Sequence, residues 1–440
     1  MARVSALDIR IEWLDAPDVS TPELAATWAR YEIWTGGDCI TQVESQDSTF
    51  RRSVYGSLYP LAEWITTNWW FLTEGIRPSA VPTRYWTWPN VRTYQWLRQY
   101  NFRAAGNGMA WPDLTVVPEG ALTCVRWSSD NSRTSGRVKF MSSGVNFVDA
   151  QDAEANLANI VVLALDRLAE VGLYKTRLAE DWAALSNLDT EEKEFCATAA
   201  RLGVDPFHAT DELSEAIIEA GRAVPTELSG DFFANAEPEN LAQAAEWTRK
   251  AARVAVRASA RAKMELNSLY AAVSRQERPV PGSTRPWEQG YMMAREVRKH
   301  LKVNESTPFD ISPWMATGTA ADSSGGIQGV AAIERGRFGL VLGGPTLPKP
   351  SRLFAQARAL GRTLAQPSKN AFLLSSARDY EEQVARAFAA ELLAPAEGIR
   401  GLVRTQGARD DLAFESIARH FGVSPILVER QYDNQVARTS

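Results

Sequence analysis

Apolar and polar side chains alternate with different periods in different parts of the chain. Near the start, Leu7, Ile9, Ile11 and Trp13 alternate with Asp8, Arg10 and Glu12. That period of two predicts a strand with one buried face. Turn signals follow at Gly36-Gly37-Asp38, Asn107-Gly108 and Asp130-Asn131-Ser132, so residues 1–150 read as a β-rich or mixed α/β domain. One helix is expected inside it, from Leu61 to Leu72. Over residues 151–275 the pattern becomes helical, in Ala-, Leu- and Glu-rich stretches that predict a separate helical domain. Asp189-Thr190-Glu191-Glu192 predicts a helix start, because carboxylates suit the exposed N–H groups there; Gly203 and Pro206 then stop the helix. The segment 276–286, within SRQERPVPGSTRP, is rich in proline and reads as a linker.

Residues 287–440 predict a third, α+β domain. A helix carrying Gly290, Ala294, Val297 and Leu301 comes first. Two strands, up to Ile333 and from Gly339, are joined by a charged turn at Glu334 to Arg337. Gly325-Gly326 and Gly343-Gly344 are loop glycines. Helices are then expected over Arg352–Arg362 and Glu381–Leu393. Near the end, Ala418, Gly422 and Val428 have the spacing of a helix-turn-helix, although its second helix, with Glu429 and Arg430, is not basic.

Composition narrows the chemistry. The 440 residues are 45% hydrophobic and 23% charged, with net charge −5, so the chain as a whole is not a basic polyanion binder. Cys39, Cys124 and Cys196 are odd in number and widely spaced, which argues against a disulfide framework. The N-terminus lacks the apolar core of a signal peptide. The most apolar run, Ile160–Leu165, is too short to span a bilayer and is flanked by charge, so it reads as a buried helix segment. These points lead us to expect a cytoplasmic protein with no membrane association. His208, His300 and His420 are the only histidines, and no two are close in sequence, which excludes a local H-E-x-x-H metal motif. Walker A, G-x-S-x-G, C-x-x-C and dinucleotide fingerprints are absent as well.

Two segments suggest binding. Tyr85, Trp86, Trp88, Tyr94, Trp96, Tyr100 and Phe102 are interleaved with Arg84, Arg92, Arg98 and Arg103. They are either a stacking platform for single-stranded nucleic acid or the core of a small domain. Arg249, Arg253, Arg257 and Arg261, with Lys250 and Lys263, would form a drifting cationic stripe on a helix. Such a stripe would meet a polyanion or an acidic partner, or would be a solvated face paired with neighbouring acids.

The order of elements after residue 285, together with Glu382, Ala385, Phe388, Ala389, Ala390, Leu392, Leu393 and Pro395, resembles the ImmA/IrrE family of metallopeptidases. In that family a later helix reads E-x-x-A-N-x-F-A-A-x-L-L-M-P, and its zinc-binding glutamate falls on Glu382. The resemblance covers roughly residues 285–435 and implies a zincin-like α+β domain. The family's A-H-E-L-G-H motif is altered. Aligned on Leu360-Gly361, the zinc-binding histidines fall on Arg358 and Arg362, and the general-base glutamate on Ala359. A guanidinium stays protonated and cannot ligate zinc, so the resemblance implies a pseudopeptidase with no metal and no cofactor. Arg358 and Arg362 lie one turn apart, on one face, and are expected to pair with Glu382 where the metal would sit. Active family members cleave repressors and antitoxins. The resemblance therefore implies a protein-binding regulator or subunit in a bacterial regulatory, mobile-element or phage-defence system. Binding would use the old substrate groove between the Arg358 helix and the strand near Val341. Two alternatives stand beside it: a nucleic-acid-binding component using the arginine stripe or the helix-turn-helix, and a residual metal-dependent peptidase.

Overall fold

A computed structural model of the chain describes residues 7–16, 18–76, 91–130, 138–274, 285–320, 326–344, 347–377, 379–406 and 411–437, with backbone only at 91–95, 406 and 411. Nearly all of the expected linker, and Tyr85, Trp86, Trp88 and Arg84, lie outside the described residues; so do the side chains of Arg92 and Tyr94. The fold is mixed α+β, with several small sheets. Its described residues form two compact units, one up to residue 209 and one from 210 onward. The separate helical domain expected over 151–275 is therefore divided between the two.

The first unit begins with β1 (Leu7–Trp13), α1 (Pro22–Ala26), β2 (Trp28–Thr35), β3 (Asp38–Cys39), β4 (Val43–Ser45), β5 (Phe50–Arg51) and β6 (Val54–Ser57). Next come α2 (Tyr59–Thr67), α3 (Trp69–Glu74), α4 (Val91–Tyr100), β7 (Asp113–Glu119), β8 (Leu122–Ser128), β9 (Val138–Phe140) and β10 (Gly144–Asp149). Helices α5 (Ala150–Glu170), α6 (Arg177–Asn187) and α7 (Thr190–Arg201) complete it. Three antiparallel sheets result: β2 pairs with β1, β3 and β6; β8 lies between β10 and β7; β4 lies between β5 and β9. β1 alternates in burial as its sequence predicts.

The single helix expected over 61–72 is two helices. Asn68 leaves helical geometry (φ −105°, ψ 17°) while its N–H and its side-chain amide both donate to the Trp64 carbonyl, at 3.0 and 2.8 Å. The predicted start at Asp189 is a complete capping box: Asp189 accepts from the Glu192 N–H, and Glu192 accepts from the Asp189 N–H, each at 2.9 Å. α5 buries Ala153, Leu157, Ile160, Val161, Ala164 and Leu168 in the core shared with the first unit's sheets, which is why it belongs to that unit.

The second unit contains α8 (Asp211–Ala223), α9 (Thr226–Phe233), α10 (Leu241–Ser259), α11 (Asn267–Ser274), α12 (Pro286–His300) and β11 (Met315–Thr319). The expected hairpin follows as β12 (Ile327–Glu334) and β13 (Arg337–Leu342). After it come α13 (Lys349–Ala365), β14 (Ala371–Ser375), α14 (Tyr380–Leu393), α15 (Ala396–Gln406), α16 (Asp411–Phe421) and α17 (Pro425–Gln431). The sheet runs β11-β13-β12-β14, with β11 parallel to β13 and the other pairs antiparallel.

Each strand of this sheet presents alternate residues to opposite faces. On one face, Phe338 and Leu340 join Leu360, Phe388 and Leu392 in the main core. On the other, Gly339 meets α10 so closely that an added Cβ would lie 2.0 Å from the Ala255 carbonyl oxygen. α13 and α14 pack with similar closeness, and a Cβ at Gly361 would lie 2.6 Å from the buried Phe388 ring. That contact carries Arg358 and Arg362 up to the first turn of α14.

Candidate functional site

Arg358 and Arg362 occupy one face of α13, and Glu382 stands in the first turn of α14 behind the N-cap Asp379, whose side chain accepts from the Glu382 N–H at 2.7 Å. Glu382 is 0% exposed, Arg358 6% and Arg362 3%, so all three charges are withdrawn from water. Both arginines reach Glu382. Arg362 Nη1 donates to Oε1 at 3.1 Å, and Arg358 Nε stands 3.2 Å from Oε2, an ion-pair contact without hydrogen-bond alignment. Arg386 Nε, one turn along α14, is 3.9 Å from the same Oε2. Ala359, between Arg358 and Arg362 on the same helix, is buried and carries no ionisable group.

The pair is part of a larger network. Arg362 Nη2 donates to both carboxylate oxygens of Asp231, at 2.9 and 3.0 Å, and lies 3.6 Å from Glu381. Asp231 comes from α9, in a region that the sequence reading placed in another domain. No local motif marks it. Arg358 Nη2 also donates to Gln328 Oε1 at 3.0 Å.

Three of these contacts close the open edge of the sheet. β14 is an edge strand, paired only with β12. On its far side, Arg362 Nη1 donates to the Leu373 carbonyl (2.8 Å), Asp231 accepts from the Leu373 N–H (3.0 Å), and Arg358 Nη2 donates to the Ser375 carbonyl (2.8 Å). An edge strand otherwise presents a row of free backbone groups on which another strand can pair. Here charged side chains occupy three of them. Among the described residues, Val341 does not line an open groove as expected. β13 is an interior strand between β11 and β12, and Val341 is fully buried.

Burial pushes the Glu382 carboxyl above its ordinary range, and Arg358 and Arg362 oppose the shift without cancelling it. Glu381 is raised in the same way, against Arg362 and Lys369. Burial lowers Arg358, with Glu382 opposing. At Arg362 burial also acts to lower the value, but Asp231 and Glu382 outweigh it and hold the guanidinium above its usual range. Arg362 is thus the electrostatic centre of the cluster.

A zinc ion does not fit this donor set. Zinc takes neutral imidazole, thiolate or carboxylate ligands. Two guanidiniums that carry no lone pair for a metal fill the space in front of Glu382. Among the described residues, no group of three or more His, Cys, Asp or Glu is arranged to hold a metal ion. The histidines have other settings: His208 contacts Asp205 (3.0 Å), His420 Nε2 contacts the Ser306 carbonyl (2.6 Å), and His300 lies in the last turn of α12.

The other predicted sites separate into distinct settings. Trp96, Tyr100 and Phe102 are buried, so they do not offer ring faces to nucleic acid. Arg103 is engaged with Asp130. Instead, Trp64 and Trp111 build core: Trp64 packs edge-on to Phe102, and Trp111 packs against Tyr31. The arginine stripe is shorter than expected. α10 ends at Ser259, so Arg261 and Lys263 lie beyond it, and Arg261 donates to the Thr317 carbonyl at 2.8 Å. The chain turns there because Ala262 and Leu266 must reach the core. Arg249 and Lys250 share Glu246, whereas no carboxylate among the described residues pairs with Arg253 or Arg257.

Near the C-terminus, α16 and α17 are joined through Gly422 at φ +71°. A second polar cluster helps anchor this end: Glu391 on α14 accepts from Arg295 (2.8 Å), Gln431 (3.0 Å) and Gln435 (2.8 Å). Among the described residues, no helix is long and apolar enough to cross a membrane. No protein-family model matches the chain, and no curated protein matches it.

Proposed function

We propose that the C-terminal region is a zincin-like pseudopeptidase of ImmA/IrrE type, and that the protein acts by binding a protein partner instead of cleaving one. The observation that carries this reading is the state of Glu382. In a zinc peptidase the equivalent carboxylate ligates the metal, and a second carboxylate activates the metal-bound water. Here Glu382 is held by Arg358 and Arg362, and Ala359 supplies no base. The edge of β14 supports the same reading, since three backbone groups that a substrate strand would pair with are already taken by Arg358, Arg362 and Asp231. In this reading the metal's structural role, bridging α13 and α14, has passed to the ion pairs.

The setting we propose is a cytoplasmic regulatory, mobile-element or phage-defence assembly, with the α16–α17 pair acting as a docking or packing element. A residual metal-dependent peptidase has no donor set among the described residues to support it. The test is affinity capture from the native host, followed by incubation of the purified complex with zinc or with chelator. A complex that stays intact, with partner uncleaved under both conditions, agrees with the proposal. Zinc-dependent cleavage of the partner overturns it.

A further inference from the structure

The second unit contains a cavity of about 750 Å³ away from Glu382, between the α8–α9 connection, one flank of α10 and the ends of β12 and β14. That is within the usual size range of ligand sites, roughly 300–1,000 Å³. Four arginines line it: Arg222 from the last turn of α8, and Arg249, Arg253 and Arg257 from α10. Only two carboxylates, Glu227 and Glu334, share the lining. Arg222, Arg253 and Arg257 are exposed, and among the described residues no carboxylate lies within ion-pair distance of any of them. Val256, 44% exposed, adds an apolar rim between the cationic positions, and Ala331 and Ala332 leave the inner wall low.

We infer that this groove binds an extended acidic peptide segment of a protein partner. The inference rests on the reading of the chain as one that works by protein binding, and supplies the chemistry of the bound segment. The spacing fits. Residues four apart on a helix rise by about 6 Å, and alternate residues of an extended chain are about 6.5 Å apart. Arg253 and Arg257 therefore match two carboxylates at alternate positions of one strand, and Arg222 adds a further guanidinium, while Arg249 is already held by Glu246. Arginine is suited to this, since its planar fork pairs two-pronged with a carboxylate.

Single-stranded nucleic acid fits less well. No aromatic side chain lines the groove, so the base stacking that supplies much of sequence-neutral affinity is missing. The chain's net charge of −5 also repels a long polyanion, while a short acidic segment meets mainly the local field.

The test is fluorescence anisotropy on the full chain with a labelled ten-residue peptide of alternating Glu and Ala. Its counterparts are an alternating Lys–Ala peptide and a single-stranded DNA of equal charge. The proposal expects saturable binding of the Glu–Ala peptide, weakened at least tenfold in Arg253→Glu/Arg257→Glu. Both side chains are exposed, so this variant should melt like the parent, and Arg419→Glu, outside the groove, should bind as the parent does. No binding of the Glu–Ala peptide would overturn the inference, as would equal binding by the double variant. Tighter, groove-dependent binding of the DNA would also overturn it. None of these outcomes touches Glu382, and the function proposed above would fail on partner cleavage instead.

Discussion

Removing Arg362 should weaken the second unit more than any other single change in the polar cluster. Arg362→Met keeps most of the side-chain volume, but deletes the guanidinium that lies over the Phe372 ring and faces Asp231, Glu382 and Glu381. Breaking a buried ion pair by deleting one partner costs about 3–5 kcal/mol, because the remaining charge stays buried without compensation. Here three carboxylates and the Leu373 carbonyl lose a partner, so the upper half of that range is expected. For a unit of this size, each kcal/mol lowers Tm by about 2–4 °C. The melting transition of the second unit should therefore fall by about 8–20 °C, read by circular dichroism against the parent protein.

The loss should also depend on pH. Glu382 and Glu381 already have carboxyls raised by burial, and removing Arg362 raises them further. A carboxyl whose folded value exceeds its unfolded value holds more protons in the native state, so stability falls as pH rises from the ordinary carboxylate range through the raised value. The Arg362→Met deficit should thus be smaller in acid, where Glu382 can take up a proton, and larger at neutral pH. A variant within about 1 kcal/mol of the parent at neutral pH, with no pH trend, would refute the idea that Arg362 compensates these acids.

A double-mutant cycle of Arg362→Met with Asp231→Asn should show coupling of about 1–3 kcal/mol in urea melts, and additive losses would mean that the two do not act as one unit. Gly361→Ala should cost about 1–3 kcal/mol by the same measurement, because the new methyl meets the immobile Phe388 ring. Asp189→Ala should cost about 1 kcal/mol, confined to the first unit, through loss of the α7 capping box; amide exchange in the first turn of α7 is the readout.

Local signals in the sequence were legible where the chain itself satisfies them. The alternation in β1, the capping box at Asp189, the hairpin at Glu334–Arg337 and the α13 and α14 helices all follow from short-range rules. Helical spacing put Arg358 and Arg362 on one face, and the resemblance to the ImmA/IrrE family implied that this face meets Glu382. Asp231 was not legible, since it approaches through tertiary packing of α9 against β14 and leaves no motif. The unit boundary was hidden for a related reason. Helical periodicity runs on through residues 151–275, and only the partner of each apolar face decides that α5 joins the first unit and α10 the second. The arginine stripe was overextended because exposed positions past Ser259 carry no signal that the helix has ended.

We propose that guanidinium–carboxylate pairing stands at Glu382 in place of metal ligation. Calorimetric titration of the purified, chelator-treated full chain with zinc tests it most directly, with Glu382→Ala as the control. No stoichiometric zinc binding is expected in the parent, and a melting temperature unchanged by chelator. One zinc per chain, lost in Glu382→Ala, would contradict it.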